Sequence, residues 1–236
     1  MTPSSLGFLP NRRGRTVRLA AGTIGRLAVG TLVVVFVVQV IVRLLYRVIP
    51  TRFLSRLALS LDAPIRQRFL NPRVVARRIG LRAGMRVLHV GPGNGPLTEA
   101  LSQTVGKDGR VEAIAFDSDQ MQSARAHLAA AGVENASVIP GMGHRLPFED
   151  QSFDAACLDS SLGRVADARG VLADVWRVLR PAARLSVSEI ISDPAYALRK
   201  TVETRGEQAG FELLESFGDA IAYTINFRKP IRALQS

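Results

Sequence analysis

The sequence predicts an α/β fold, in which helices cover both faces of an open and mostly parallel sheet. Three observations support this prediction. Short apolar strands alternate with helical segments from residue 85 onward, and the first strand leads into a glycine-rich loop. The alternation ends with two successive strands, residues 211–217 and 220–227, joined as a hairpin by Gly218-Asp219. A strand, a glycine loop and a helix in this order are typical of a Rossmann-like domain.

The individual elements follow from apolar runs and from the proline and glycine residues that interrupt them. A short helix is predicted to begin at Pro72, with Asn71 as its N-cap and Gly80 after its end. The other predicted strands are residues 85–90, 111–116, 137–139, 153–158 and 184–190. The other predicted helices are residues 96–105, 118–131, 167–179 and 199–209. Ser118 is the predicted N-cap of the second of these helices, and Pro181 follows the third.

Charge is distributed unevenly along the 236 residues. Residues 1–86 contain sixteen arginines and one acidic residue, Asp62, which gives about +15. The remainder holds fifteen basic and nineteen acidic residues, which gives about −4. Because the α/β region is mildly acidic, the overall charge of +11 does not predict a nucleic-acid partner. The basic N-terminal region predicts contact with an anionic membrane surface instead.

An apolar segment precedes the α/β region. Residues 27–42 carry no charge, and extension to residue 49 includes Arg43 and Arg47, which can reach toward head groups. These 23 residues would span about 34 Å as a helix, enough for a bilayer. We predict a basic tail (1–26), a membrane anchor helix (27–49) and a basic helical connector (50–84). An interfacial helix, a cleaved signal peptide and a buried core helix remain alternatives, and arginines on both sides leave the orientation open.

The only cysteine, Cys157, bears on the cellular compartment. A single cysteine excludes an intramolecular disulfide, which favours a cytosolic domain behind the anchor. Cys157 lies within an apolar run, and no histidine stands near it in sequence. We therefore expect a buried, inert thiol.

The glycine loop is the main candidate site. The strand 85–90 leads into Gly91-Pro92-Gly93-Asn94-Gly95, and Pro96 begins the next helix. Glycines at this point let backbone N–H groups approach a ligand, which predicts a nucleotide-like cofactor. Asp117, at the end of the second strand, can accept hydrogen bonds from both ribose hydroxyls. Pro96 stands where nicotinamide enzymes have a third glycine, so a nicotinamide oxidoreductase is the less favoured alternative.

Five segments carry a resemblance to a known family. They are VLHVGPGNG (87–95), AFDSDQM (115–121), LPFEDQSFDAACLDSSL (146–162), VLADVWRVLRPAARLSVSE (171–189) and EQAGFELLESFG (207–218). From about residue 74 to residue 230 the chain resembles the class I S-adenosylmethionine-dependent methyltransferases, in the group that includes the ubiquinone/menaquinone methyltransferases. The resemblance implies seven strands in the order 3-2-1-4-5-7-6, with strand 7 antiparallel. It places the methyltransferase domain at residues 85–230, followed by a short tail (231–236).

The resemblance also implies roles for individual residues. Gly91, Gly93 and Gly95, with Pro92 and Asn94 between them, would pass the methionine part of S-adenosylmethionine. Asp117 would bind its ribose, and Ser118 and Met121 would lie near the adenosine. Gly141-Met142-Gly143 matches the loop beside the adenine. His89 stands where an acidic residue usually helps to orient the amino end of the cofactor.

The predicted function is methyl transfer from S-adenosylmethionine to a small or lipid-like acceptor at the membrane surface. Asp159 and His144 are candidates for a general base, and no metal site is expected. Residues 191–198 form a short connection where the family often has an insertion, which suggests a site open toward lipid. Departures at His89, Met142 and Leu162-Gly163-Arg164 leave one alternative, a module that binds the cofactor or a partner with little or no catalysis.

Overall fold

The computed structural model describes Val37 and residues 70–141, 145–193 and 195–231. Five helices and seven strands lie in these ranges. The helices are α1 (Pro72–Ile79), α2 (Pro96–Val105), α3 (Ser118–Ala130), α4 (Ala168–Val178) and α5 (Arg199–Gln208). The strands are β1 (Arg86–Val90), β2 (Arg110–Ala115), β3 (Ala136–Pro140), β4 (Phe153–Asp159), β5 (Leu179–Ile190), β6 (Glu212–Gly218) and β7 (Ala222–Arg228).

The seven strands form one sheet in the order β3-β2-β1-β4-β5-β7-β6. Strands β1 to β5 pair in parallel, whereas β7 runs antiparallel to both β5 and β6. The predicted strand order and the antiparallel β7 are therefore confirmed. Because the parallel strands share one direction, their carboxyl ends lie at one edge of the sheet, called the carboxyl edge below; the opposite edge is the amino edge.

Local signals account for most element boundaries, with two corrections. Asn71 caps α1 through a 3.0 Å bond from the Arg73 N–H, and Gly80 ends this helix at φ 75°, as predicted. Asp117, rather than Ser118, is the N-cap of α3, because its carboxylate accepts the Gln120 N–H.

The second correction concerns the start of β5. This strand begins at Leu179, directly after α4, and includes Pro181. Leu179 pairs with Phe153 before the register shifts to the pair Ala155 and Arg184. The prediction that the strand starts only at residue 184 was wrong, because the extended φ of proline is compatible with an irregular strand start.

The core has a layer on each face of the sheet. On one face, Leu88 and Leu158 pack with Val175 of α4 and Phe227 of β7. On the other face, strand residues pack with helices α1 and α2, and the members include Val75, Ile79, Val87, Leu101 and Cys157. Cys157 is fully buried, and this burial raises the pKa of its thiol, so the prediction of a buried thiol is confirmed.

The predicted N-terminal regions fall largely outside the described residues. Residues 1–26 and 50–69 lie outside them, as does the predicted anchor (27–49) apart from the helical residue Val37. Among the residues that the structure does describe, no helix combines the length and the apolar character that crossing a bilayer requires.

Candidate cofactor site at the carboxyl edge

The glycine loop is closed at both ends and open in its middle. Gly91, Gly93 and Gly95 have φ values of 81°, 55° and 105°, which L side chains rarely adopt. A Cβ on Gly91 would lie 3.0 Å from Ser161 Cβ, and one on Gly95 would lie 3.0 Å from the His127 ring. A Cβ on Gly93 would meet no described atom within 4 Å. The loop therefore forms a cradle whose open centre is at Gly93.

The loop also lies at the start of α2. Pro96 is the first residue of this helix, and Gly95 is its N-cap. Backbone N–H groups at a helix start lack partners within the helix and attract polar or negatively charged ligand groups. Within the loop, Pro92 is buried and Asn94 is exposed.

Asp117 has a structural role in addition to its predicted one. Its side chain is exposed, and Oδ1 accepts the Gln120 N–H at 2.8 Å as the N-cap of α3. A carboxylate offers about four acceptor positions, so the cap leaves capacity for ribose hydroxyls. Ser118 is exposed beside it, and Met121 packs against the apolar cluster under α3.

In the loop after β3, Gly141 is described and residues 142–144 are not. Gly141 donates its N–H to the Ala115 carbonyl at 2.8 Å, and a Cβ there would collide with Ile114 Cγ2. The glycine thus keeps this loop close to the end of β2. Met142, Gly143 and His144 lie outside the described residues, so their predicted roles stay predictions.

His89 lies in β1, two residues before the glycine loop, and is fully buried. Its Nδ1 is 2.9 Å from Thr98 Oγ1 of α2, and its Nε2 has no partner among the described residues. Burial lowers the pKa of His89 to about 3, so its imidazole is neutral near pH 7. The neutral His89 imidazole can form a hydrogen bond, but it lacks the negative charge of the acidic residue that the family usually has at this position.

The turn after β4 lies against the glycine loop. Asp159, half-buried, ends the strand, and its carbonyl oxygen would be 3.3 Å from a Cβ on Gly91. Ser160 has a φ of 45° and donates its N–H to the Ser188 carbonyl at 2.8 Å. Ser161 is 1% exposed, and its Oγ has no partner among the described residues. Of the two candidates for the general base, Asp159 therefore lies beside the cradle, and His144 is not described.

An ion pair joins this turn to the loop after β5. Arg164 Nη2 is 2.7 Å from Asp193 Oδ2, and Arg164 Nε donates to the Ser160 carbonyl at 3.2 Å. A Cβ on Gly163 would collide with the Ala195 carbonyl oxygen. The departure at Leu162-Gly163-Arg164 thus allows the two loops to approach. The sequence analysis did not identify Ser160, Ser161 or Asp193 as site residues. The run of small polar residues directly after β4 is the signal that could have indicated the two serines.

The site residues fit the predicted cofactor. The open centre at Gly93 leaves room for a ligand against the backbone, and Ser161, whose buried Oγ has no described partner, lies against Gly91 at the start of the loop. Asp117 lies at the end of the adjacent strand β2, where a ribose would follow. The strand order and the glycine loop together define the fold of class I methyltransferases.

Comparison with known proteins establishes the family. Residues 64–225 match the model of the ubiE/COQ5 methyltransferase family. The chain belongs to this family. The predictions of a methyltransferase and of S-adenosylmethionine as its cofactor are therefore confirmed at the level of the family, and the oxidoreductase and non-catalytic alternatives are not favoured.

Two curated relatives show the extent of the similarity. The chain is 35% identical over 144 residues to the ubiquinone/menaquinone biosynthesis C-methyltransferase UbiE of Marinomonas sp. (strain MWYL1), which covers 61% of this chain and 56% of the relative. It is 36% identical over 118 residues to the same enzyme of Psychromonas ingrahamii, covering 50% and 47%. The chain therefore matches about half the length of these relatives.

Solved structures agree on the fold. A SAM-dependent methyltransferase from Aquifex aeolicus superposes with a TM-score of 0.68 at 23% identity, covering 74% of this chain and 98% of that one. The [4+2]-cyclase SpnF superposes with a TM-score of 0.60 at 18% identity, covering 68% and 80%. Because a cyclase shares the fold, the fold alone does not determine the reaction, which depends on the residues of the site.

Proposed function

We propose that this chain transfers a methyl group from S-adenosylmethionine to carbon of a small or lipid-like, quinone-related acceptor at a membrane surface. The observation that carries the proposal is the open cradle at Gly93, which lies between the first turn of α2 and the turn after β4. The relatives named as ubiquinone/menaquinone C-methyltransferases support carbon as the acceptor atom.

The chain's own residues supply position and proton transfer. When bound, S-adenosylmethionine supplies an electrophilic methyl group on a cationic sulfur. The backbone of the glycine loop would hold the methionine end, and Asp117 would hold the ribose. Alignment of this kind is worth up to about 7–11 kcal/mol. Asp159, beside Gly91, would accept the proton that the acceptor carbon loses.

An apolar surface at the same edge supports a lipid-like acceptor. Ile191, Leu198 and Ile221, here called the apolar lip, are each more than a third exposed. The Ile191 N–H donates to the Ile221 carbonyl at 2.7 Å. Tyr196 and Arg199, on either side of Leu198, donate to carbonyl oxygens of the β6–β7 turn. The three apolar side chains therefore belong to one surface, at the end of β5.

The catalytic part of the proposal is tested with the full chain, labelled S-adenosylmethionine and a lipid extract. We expect label in a lipid-soluble product. Asp117→Asn keeps a capping side chain but loses the charge, so it should bind the cofactor about 10-fold more weakly with an unchanged melting temperature. Asp167→Ala, which removes the matching cap of α4, should cost stability only. Label confined to soluble metabolites or protein would refute the lipid-like acceptor.

The membrane part is tested with a single fluorophore. Cys157 is buried, so a cysteine introduced by Leu198→Cys would be labelled selectively. With anionic vesicles, an environment-sensitive dye at this position should shift to shorter wavelength. A dye at Leu213→Cys, an exposed position of edge strand β6, should not shift. An unshifted spectrum at position 198 would exclude contact of the lip with the bilayer, and an equal shift at position 213 would exclude a contact specific to the lip.

A further inference from the structure

A buried hydroxyl without a partner lies beside the glycine loop. Ser161 is 1% exposed, and its Oγ makes no hydrogen bond to any described residue. Its Cβ would be 3.0 Å from a Cβ on Gly91, so the side chain lies against the first glycine of the cradle. An unsatisfied buried hydroxyl destabilises the fold, and its presence at a ligand site therefore calls for a functional explanation.

The backbone holds this hydroxyl in place. Ser160, with its φ of 45°, is fixed by its bond to the Ser188 carbonyl of β5. The Ser161 carbonyl accepts the Arg164 N–H at 3.0 Å, and Arg164 is in turn paired with Asp193. A non-glycine residue at positive φ persists where its surroundings fix it, and such residues cluster at ligand sites. The turn is therefore built to present residue 161 to the loop.

We propose that Ser161 Oγ contacts the methyl-bearing sulfonium end of the cofactor and favours this cation over the neutral product. The inference rests on the proposed function. An oxygen without a hydrogen-bond donor, in a site of low polarity, attracts positive charge and the polarised C–H groups next to it. After methyl transfer the sulfur is uncharged, so this attraction is lost. Ser161 would then bind the methyl donor more tightly than S-adenosylhomocysteine.

A second buried serine gives a matched control. Ser186 Oγ also lacks a partner among the described residues, and its side chain is fully buried. It lies in the middle of β5, in register with Cys157 and Asn226, two strands away from β1, which leads into the glycine loop. Ser161→Ala and Ser186→Ala each remove one unsatisfied hydroxyl, so both should raise the melting temperature.

The test is calorimetric titration of the full chain with S-adenosylmethionine and with S-adenosylhomocysteine. Ser161→Ala should weaken binding of S-adenosylmethionine about 5- to 10-fold and change binding of the homocysteine product less than about 2-fold. Ser186→Ala should change neither. Ser161→Gly, which removes the same hydroxyl, should reproduce the selective loss.

Three outcomes would overturn the proposal. Equal weakening of both ligands in Ser161→Ala would assign the residue a merely structural role. Unchanged binding of both ligands would show that the hydroxyl makes no contact with the sulfonium end. A wild-type chain that binds neither ligand would refute the proposed function as well, which distinguishes the two failures.

Discussion

The two edges of the sheet are stabilised in different ways. At the amino edge, Arg177 donates to the carbonyl oxygens of Leu146 and Phe148 and to the carboxylates of Asp150 and Asp174, at 2.6 to 3.0 Å. The hydrogen bonds to Asp174 and Asp150 raise the pKa of Arg177. The arginine thus ties the loop before β4 to the last turn of α4. Polar groups here are used to hold the fold together.

The carboxyl edge, in contrast, contains groups that are costly for the folded chain alone. It carries three glycines at positive φ, Ser160 at φ 45°, and two buried polar atoms without described partners, His89 Nε2 and Ser161 Oγ. Ligands of open α/β sheets bind at this edge. Arg177 thus uses its donors within the chain, whereas His89 Nε2 and Ser161 Oγ have no described partner, which indicates that the carboxyl edge is arranged for a ligand that supplies contacts.

Filling the cradle should give the largest effect. Gly93→Asn adds a side chain where no described atom lies within 4 Å, and asparagine tolerates the φ of 55°. The fold should survive, but S-adenosylmethionine should bind at least about 100-fold more weakly, or about 2.7 kcal/mol. Titration calorimetry and thermal melting measure the two quantities.

Gly132→Asn is the control for this prediction. Gly132 has a φ of 64° and equally open surroundings, but it follows α3 at the opposite end from Asp117. It should leave cofactor binding unchanged. If both asparagine variants bind like the wild type, the cradle assignment is wrong.

Removal of Arg177 at the amino edge should lower the free energy of unfolding and leave the affinity for the cofactor nearly unchanged. Arg177→Met keeps the aliphatic length but leaves several acceptors without their donor, which should cost about 2 kcal/mol of unfolding free energy. Affinity for the cofactor, measured below the melting transition, should stay within about 2-fold. Asp150→Asn, which changes the exposed partner of Arg177, should cost less than about 1 kcal/mol. A large loss of affinity in Arg177→Met would break the division between the edges.

Much of the fold was predictable because it depends on local signals. The glycines and prolines at 91–96 fix the loop by their own backbone preferences, and Asn71, Pro72 and Gly80 fix α1. Position 118 was assigned as an N-cap one residue late, since Asp117 and Ser118 are both good capping residues. The start of β5 was missed because Pro181 usually interrupts a strand, whereas here it lies in an irregular one.

The candidate site was less predictable because it depends on distant contacts. The pair of Arg164 and Asp193 spans 29 residues, and Ser160 is held by Ser188 of the next strand. No sequence spacing indicates these contacts. Likewise, the position of His89 was predicted, but its full burial and its bond to Thr98 follow only from the packing of α2 on β1.

The pH dependence of the free energy of unfolding should reveal what burial of the His89 imidazole costs at low pH. Its folded pKa of about 3 lies below the unfolded value of about 6.5, so below pH 6.5 the unfolded chain binds a proton that the folded chain does not. Its contribution to stability therefore falls by about 1.4 kcal/mol per pH unit, or about 2 kcal/mol at pH 5. His89→Asn, which can keep the bond to Thr98, should lack this dependence. Urea unfolding at pH 7, 6 and 5 measures it; parallel curves for the two proteins would contradict it.

The smallest effect should come from Ala182, in the irregular start of β5 at the amino edge. Its φ of 64° is unfavourable for alanine, yet its N–H donates to the Lys229 carbonyl at 2.9 Å, which holds it there. Ala182→Gly should relieve this strain and raise the unfolding free energy by about 0.5–1 kcal/mol. Ala183→Gly, at a buried position without a positive φ, should lower it by about 1 kcal/mol. Opposite signs in urea unfolding would place backbone strain at the amino edge too, whereas equal signs would contradict strain at Ala182.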